Sequence, residues 1–396
     1  MIPALRQDFN QRFTPAKYRQ FEQEMAIRCG TPVLFRLCET PCFFPKQLLD
    51  DMSEAGAELI LQLTGNASYK TLSESAIPAA FRVLNEPDHP MFVQVDFGLV
   101  RDANGELRPK LVELQAFPSL YAYQPVLAQT YIDVFDLDSK LQYFLSGLTA
   151  DSYKRLLATA ILAGHDPEQV ILMEIDPLQQ KTLPDFLLTE RELGIPAVNI
   201  TEVQKIGRQL FYQNNGRKIP IRRIYNRAIV DELERKNLAL QFRFTDDLDV
   251  EWAGHPNWFF RMSKFSIPYL RHATVPETRF LDQVEGIPDD LDRFILKPLF
   301  SFAGLGVNIR PTPQDLVAIP HHQRSQWILQ ERMNFEPVIE TPHGATKAEV
   351  RIMYIWDEKL LPVLVIMRMG RGAMMGVDHN KNMEWVGSSA ALFPTE

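Results

Sequence analysis

Helices and short apolar strands alternate between about residues 150 and 235, and this alternation constrains the fold more than any other feature. Apolar residues at helical spacing fill 153–162 and 182–193, whereas 170–175 and 197–200 are short apolar runs of strand length. A strand that is followed by a helix and then by another strand is typical of parallel sheets. The segment therefore predicts an α/β unit with a parallel sheet.

Polar residues follow the predicted strands of this unit. Asp176 comes directly after the strand 170–175, and an arginine-rich cluster fills 222–227. Open α/β sheets bind ligands at the carboxyl ends of their strands, so these residues are candidates for ligand binding. The alternative is that the arginines form a solvated rim. No G-x-G-x-x-G motif follows either strand, which argues against a dehydrogenase built on this region.

Composition and charge restrict the possible partners. The chain has 396 residues, of which 45% are hydrophobic and 23% charged, as in soluble globular proteins of two or three domains. A net charge of -8 argues against nucleic acid or an anionic membrane as partner and favours small molecules. The N-terminal segment lacks a signal-peptide pattern, and no later run reaches about 18 apolar residues, so we predict a cytoplasmic protein.

The cysteines do not indicate a disulfide framework or a zinc site. Cys29, Cys38 and Cys42 are odd in number and lack CxxC spacing. We therefore expect buried, reduced thiols.

Breakers and changes of periodicity suggest three domains, 1–145, 146–250 and 251–396. Residues 8–85 are predicted to be mainly helical, with one helix beginning after Pro45. A hairpin follows, in which 91–100 and 107–114 are strands on either side of a Gly-containing turn.

The segment 294–307 combines an apolar run, a lysine and a small-residue loop. Lys297 places a compact positive charge at the end of the run, and Gly304 and Gly306 allow backbone N–H groups to approach anionic oxygens. This pattern is typical of a phosphate cradle, although a strand, a turn and a strand also make an ordinary hairpin.

Further residues could neutralise the negative charge of a nucleoside triphosphate. Lys264 and Arg351 are candidates alongside Lys297, and we assign Arg351 to catalysis. A lysine on an apolar strand is costly to bury without an anionic partner, which strengthens the interpretation of Lys297.

The hairpin offers oxygen ligands for Mg²⁺. Asp96 lies on its first strand, and Glu113 and Gln115 lie two residues apart on the second, so their side chains share one face. Mg²⁺ prefers one or two carboxylates in addition to phosphate oxygens. The alternative is that these acidic residues are exposed to solvent.

Taken together, these segments resemble the ATP-grasp family. The resemblance rests on Lys264, on Lys297 with its loop, and on the apolar strand 327–331. In most ATP-grasp proteins the metal ligands follow this nucleotide-binding half, whereas the best match here, Asp96 and the Glu113-Leu-Gln115 triplet, precedes it. That order resembles the circularly permuted ATP-grasp domain of glutathionylspermidine synthase and its relatives. The resemblance implies an α+β or α/β multi-domain protein that joins a permuted ATP-grasp fold to an additional α/β parallel-sheet domain.

The resemblance also implies a reaction. Members of this family use ATP and Mg²⁺ to join a small-molecule carboxylate to an amine through an acyl phosphate, and form a C–N bond in a peptide-like or amino-acid substrate. By position, Lys264, Lys297, Gly304 and Gly306 would hold phosphates, Gln330 and Glu331 would face adenine and ribose, and Asp96, Glu113 and Gln115 would hold the metal.

Two residues depart from the family pattern. Gln115 replaces an asparagine ligand and is one methylene longer, and Gln94 replaces an arginine two residues before Asp96. These changes leave open a second interpretation, in which the chain binds ATP but has lost ligase turnover and acts as a sensor or pathway partner.

Overall fold

The computed structural model describes residues 1–300, 305–376, 380 and 382–395. The α-helices of this part of the chain are α1 (Pro3–Arg12), α2 (Pro15–Cys29), α3 (Lys46–Thr64), α4 (Ala67–Leu72), α5 (Tyr123–Val134), α6 (Ala150–Leu162), α7 (Leu183–Leu193), α8 (Val230–Lys236), α9 (Pro256–Arg261) and α10 (Pro313–Ala318). Short 3₁₀ turns connect several of them, among them Lys264–Tyr269.

The strands are β1 (Cys42–Phe43), β2 (Phe92–Arg101), β3 (Leu107–Gln115), β4 (Leu141–Gln142), β5 (Val170–Glu174), β6 (Ala197–Asn199), β7 (Gln204–Ile206), β8 (Gln209–Asn214), β9 (Arg217–Ile221), β10 (Arg223–Asn226), β11 (Glu251–Ala253), β12 (Thr278–Phe280), β13 (Phe294–Pro298), β14 (Trp327–Glu331), β15 (Pro337–Ile339), β16 (Thr346–Trp356), β17 (Leu360–Gly370) and β18 (Gly387–Pro394). The predicted helical N-terminal region and the predicted hairpin of β2 and β3 are both confirmed.

The largest sheet joins the two ends of the chain. Its strand order is β1-β18-β17-β16-β2-β3, with β4 attached to β18 and β15 attached to β16, and β1–β18 is its parallel pair. Within it, β16 and β17 form a long antiparallel pair. Because β2 pairs with β16, residues of the early hairpin lie directly against residues about 250 positions later.

Alternation along the strands gives this sheet two different faces. One face is largely apolar and packs against α3, with Val95, Ile352 and Met367 among its buried residues. The opposite face is apolar only at one end, where Met353 and Ile366 pack toward α6. The other end of that face carries polar side chains, and it forms one wall of the candidate site.

The predicted parallel sheet is also present. Its order is β11-β10-β5-β6 with all pairs parallel, and α6 and α7 fall at the predicted helices. β11 follows residue 250, so the sheet extends past the end of the predicted middle domain. The three domain boundaries stay a prediction.

Two small antiparallel sheets complete the fold, β12-β14-β13 and β7-β8-β9. In the first, β13 carries Lys297 and pairs with β14, while Leu296 forms a bridge to Asn308 on its other edge. The segment 294–307 thus begins as the strand β13, and the residue that follows the segment, Asn308, pairs with Leu296 of that strand. Residues 301–304 lie outside the described part of the chain.

The cysteines agree with the prediction from the sequence. All three cysteines are free and buried. Within the described residues, none of the helices combines the length and the apolar character that a membrane span needs.

Candidate functional site

A cavity of about 990 Å³ lies between the polar end of the main sheet, the β12-β14-β13 sheet and the edge of the parallel sheet. Nine cationic side chains and three carboxylates are among the described residues that line it. The cations are Lys264, Lys297, Arg310 and Arg332 on the side of the small sheet, Lys347, Arg351 and Arg368 on the main sheet, and Lys181 and Arg227 near the parallel sheet. This excess of positive charge, in a chain of net charge -8, favours an anionic ligand.

Arg351 is the centre of the polar wall. It lies opposite Asp96 in the β16–β2 pairing, and its Nε and Nη2 donate to the two Asp96 carboxylate oxygens at 2.5 and 2.6 Å. Asp96 is fully buried, and Nη1 of Arg368 lies 3.3 Å from its Oδ2. Such a two-bonded guanidinium–carboxylate pair is among the strongest polar contacts in proteins. The predicted metal ligand Asp96 is therefore already occupied by cations of the protein.

Two glutamines complete the surroundings of Arg351. Nη1 of Arg351 donates to Gln94 Oε1 at 2.9 Å, and Gln94 Nε2 donates to the Ser119 carbonyl at 2.8 Å. Gln115 lies across from Gln94, and with its amide oxygen toward Arg351 it accepts from Nη2 at 2.5 Å and Nη1 at 3.2 Å. Gln94 and Gln115 thus hold Arg351 in place.

Glu349 and Arg368 extend the polar wall, and neither is among the site residues predicted from the sequence. They face each other in the β16–β17 pairing and form an ion pair. Burial raises the pKa of Glu349. The charge of Arg368 acts to lower this pKa, whereas the charge of Asp96 raises it further. Burial alone would lower the pKa of Arg368, but the charges of Asp96 and Glu349 outweigh it and raise the pKa. The available signal was that Glu349 and Arg351 are two residues apart on one strand, which places both on one face.

Glu113 lies between the two walls of the cavity. Its carboxylate is 3.8 Å from Lys264 Nζ and 3.6 Å from Arg351 Nη2. Burial acts to raise the pKa of Glu113, but the charges of Lys264 and Arg351 outweigh it and lower the pKa. Glu113 is thus ionised and balances one cation from the 3₁₀ turn Lys264–Tyr269 and one from β16.

Lys297 projects from the opposite wall and is buried. Its Nζ donates to Gln330 Oε1 at 2.5 Å and to the Val112 carbonyl at 3.4 Å. Burial lowers the pKa of Lys297 to about 8; the Glu113 carboxylate opposes this shift and the Lys264 charge adds to it. A buried ammonium beside a second lysine is the kind of group that an anion stabilises.

The parallel sheet supplies the far end of the cavity. Glu174 ends β5 and lines the cavity, and burial raises its pKa to about 8, opposed by the charge of Arg227. Arg227 follows β10, and its Nη1 lies 2.5 Å from Asp185, which also accepts from the backbone N–H groups of Ala122 and Tyr123. Both side chains of this ion pair are almost completely buried. Arg227 is therefore neither a solvated rim residue nor a free cation.

The remaining predicted residues differ in their relation to the cavity. Gln330 is buried against Lys297, whereas Glu331 pairs with Arg293 at 3.3 Å and does not line the cavity. Gly306 has φ +74°, a conformation that favours glycine, and packs against Pro298. Gly304 lies outside the described residues.

A metal ion needs several free ligand atoms at one place. In the described ranges, no three His, Cys, Asp or Glu side chains come together in a way that could hold one. Asp96, Glu113 and Gln115 are close to one another, but Asp96 and Gln115 turn their oxygens toward Arg351. As arranged, these residues do not fit Mg²⁺, which needs free oxygen ligands in octahedral geometry.

Comparison with known proteins places the fold. No family model matches the chain, and no curated protein matches it. Among solved structures, a glutathione synthetase-like effector from Globodera pallida, in its apo form, is similar with a TM-score of 0.61 and 11% sequence identity, over 97% of this chain and 98% of that one. The likeness extends over nearly the full length of both chains. The protein therefore has a mixed α/β, multi-sheet fold similar to that of this glutathione synthetase-like protein.

Proposed function

We propose that this protein binds ATP in the cavity and uses it to join a carboxylate to an amine, with the parts of its ATP-grasp site in permuted order along the chain. The observation that carries the proposal is the charge of the cavity, where nine cations face three carboxylates. A volume of about 990 Å³ has room for more than one small molecule.

The phosphates are assigned to Lys264 and Lys297. Their ammonium groups come from two different elements and flank Glu113, and charge-assisted hydrogen bonds to phosphate are stronger than neutral ones. Bound ATP would transfer its γ-phosphoryl group to a substrate carboxylate, which would give an acyl phosphate and ADP. Attack of an amine on the acyl carbon would then form the amide bond and release phosphate. The role of the lysines is to bind the phosphates and to neutralise their charge.

The acid and the amine are assigned to the far end of the cavity. Glu174 and Arg227 lie at the carboxyl ends of β5 and β10, where open α/β sheets bind ligands. With a pKa of about 8, Glu174 is mostly protonated at neutral pH and is able to donate a hydrogen bond as well as accept one.

A second candidate function is ATP binding without ligation. It is favoured by the contacts of Arg351 with Asp96 and Gln115, because the residues that would hold Mg²⁺ do not fit the ion while Arg351 occupies them. We derive no catalytic step from a metal.

Calorimetry of ATP binding and an assay of ATP turnover together separate these two functions. ATP is titrated into the protein with and without Mg²⁺, and release of ADP and phosphate is then followed with mixtures of carboxylic acids and amines. Turnover that requires both an acid and an amine supports the ligase, and binding without turnover supports the second candidate.

A matched pair of variants tests the site itself. Lys297→Met removes a buried cation of the cavity, whereas Lys359→Met removes an exposed lysine from the β16–β17 turn. We expect only the first to weaken ATP binding. If ATP binds neither variant nor the native chain, both candidate functions are wrong.

A further inference from the structure

Three sulfur atoms meet on the face of the main sheet that points away from the cavity. Sγ of Cys38 and Sγ of Cys42 each lie 3.4 Å from Sδ of Met369, and all three residues are fully buried. Met369 follows Arg368 on β17, so the two side chains point to opposite faces of the sheet. The sulfur cluster, defined as Cys38, Cys42 and Met369, is thus separate from the candidate nucleotide site.

A buried cation with unused hydrogen-bond donors contacts the segment that joins Cys38 and Cys42. Arg6 is only 2% exposed, and its Nη1 donates to Thr40 Oγ1 at 2.5 Å and to the Pro41 carbonyl at 3.1 Å. Its Nε and Nη2 have no hydrogen-bond partner, although both are buried. Its guanidinium carbon lies 4.8 Å and 5.4 Å from the ring centroids of Phe9 and Phe43, and Phe43 directly follows Cys42.

This arrangement lacks a negative charge. A buried guanidinium is costly unless an anion compensates it, and buried N–H groups are nearly always paired. The described residues form no ion pair with Arg6, and protonated thiols carry no charge. An ion that binds the two sulfurs as thiolates would supply it.

We propose that the sulfur cluster binds Cu(I). Soft thiolate and thioether ligands select this ion, whereas structural zinc sites take four ligands. On binding, the thiols of Cys38 and Cys42 each release one proton to solvent and become thiolates, and Met369 contributes a neutral thioether. One Cu(I) and two thiolates carry a net charge of -1, which the guanidinium of Arg6 balances. No electron is transferred in this step.

The affinity for Cu(I) is measured on the full chain, reduced and under anaerobic conditions, by competition with bicinchoninate. Because the cluster is buried, the metal is added during refolding from urea. We expect one Cu(I) per chain, with the luminescence of a Cu(I)–thiolate complex. Cys38→Ser and Cys42→Ser should each abolish this stoichiometric binding, and Met369→Leu, which keeps a similar volume, should weaken it.

Two further variants make the test specific. Arg6→Met should lower the Cu(I) affinity by about 10- to 100-fold, the range seen when groups that support metal ligands are removed. Cys29→Ser is the matched control, because Cys29 is also buried and free but belongs to α2, and it should bind Cu(I) as the native chain does.

Other outcomes overturn the proposal. It is wrong if the native chain does not retain Cu(I) against the competitor, which would make the sulfurs part of the core packing only, or if Cys29→Ser loses the metal. X-ray absorption of the native complex decides the matter without any variant, because sulfur-only coordination supports the cluster and nitrogen or oxygen ligands refute it.

Discussion

Replacing Lys297 with methionine should make the ligand-free protein more stable at neutral pH while it weakens ATP binding. The pKa of the buried Lys297 is about 8, whereas its ordinary value is 10.5. At pH 7 this difference lowers the free energy of unfolding by about 3 kcal/mol. Methionine has a similar length and carries no charge. Loss of the hydrogen bond to Gln330 offsets about 1 kcal/mol of the gain, so the variant should be about 2 kcal/mol more stable.

The pH dependence identifies the cause. The folded-state pKa of Lys297 lies below its unfolded value, so between pH 8 and 10.5 the unfolded chain binds more protons than the folded protein. The free energy of unfolding of the native chain therefore rises with pH over this range, and the variant lacks this rise. The advantage of Lys297→Met should shrink by about 2 kcal/mol between pH 7 and pH 10.

Urea unfolding at a series of pH values measures this difference, with Lys359→Met as the exposed control. In parallel, calorimetry should show ATP affinity lowered by roughly 1.5–3 kcal/mol in Lys297→Met. A lysine that only supports the fold would give the opposite sign of stability change. The reasoning is refuted if the variant is less stable than the native chain by the same amount at pH 7 and at pH 10.

Three other perturbations test the surroundings of the cavity. In urea unfolding, Glu174→Gln should gain stability relative to the native chain by about 3 kcal/mol between pH 5 and pH 8. The reason is that the raised pKa of Glu174 makes the native chain less stable as pH rises through this range. A difference that stays constant with pH would contradict this. Gly98→Ala would place a Cβ 2.2 Å from the Phe335 ring and should cost about 1–3 kcal/mol, and adding Phe335→Leu should recover part of the loss in the same assay. Asp185→Ala should cost about 3–5 kcal/mol because it leaves Arg227 buried without its partner, and a variant as stable as the native chain would contradict the pairing.

The sequence predicted the elements of the fold because periodicity is a local property. The spacing of apolar residues was sufficient for the helices α6 and α7, the hairpin of β2 and β3, and the parallel strands β5 and β6. It was not sufficient to show that β2 pairs with β16, since the two strands are about 250 residues apart and many pairings are compatible with alternation.

The same limit applies to the site. Lys297 was identifiable because a charge on an apolar strand is costly to bury. Glu349 and Arg368 gain their importance from each other and from Asp96, and these contacts exist only after the sheet has formed. The orientation of Gln115 toward Arg351 likewise depends on a residue of a distant strand.

Arg351 decides between the two candidate functions, because it occupies the oxygens that a metal would need. Removing it in Arg351→Gln leaves Asp96 buried with Arg368 as its main cationic partner, which should cost about 3–5 kcal/mol. The freed oxygens of Asp96, Glu113 and Gln115 would then suit Mg²⁺, so millimolar Mg²⁺ alone should raise the melting temperature of this variant and leave that of the native chain unchanged. If Mg²⁺ alone stabilises the native chain to the same extent, these oxygens are available without displacement of Arg351. The main argument for the second candidate would then fail, and the ligase would be the better supported function.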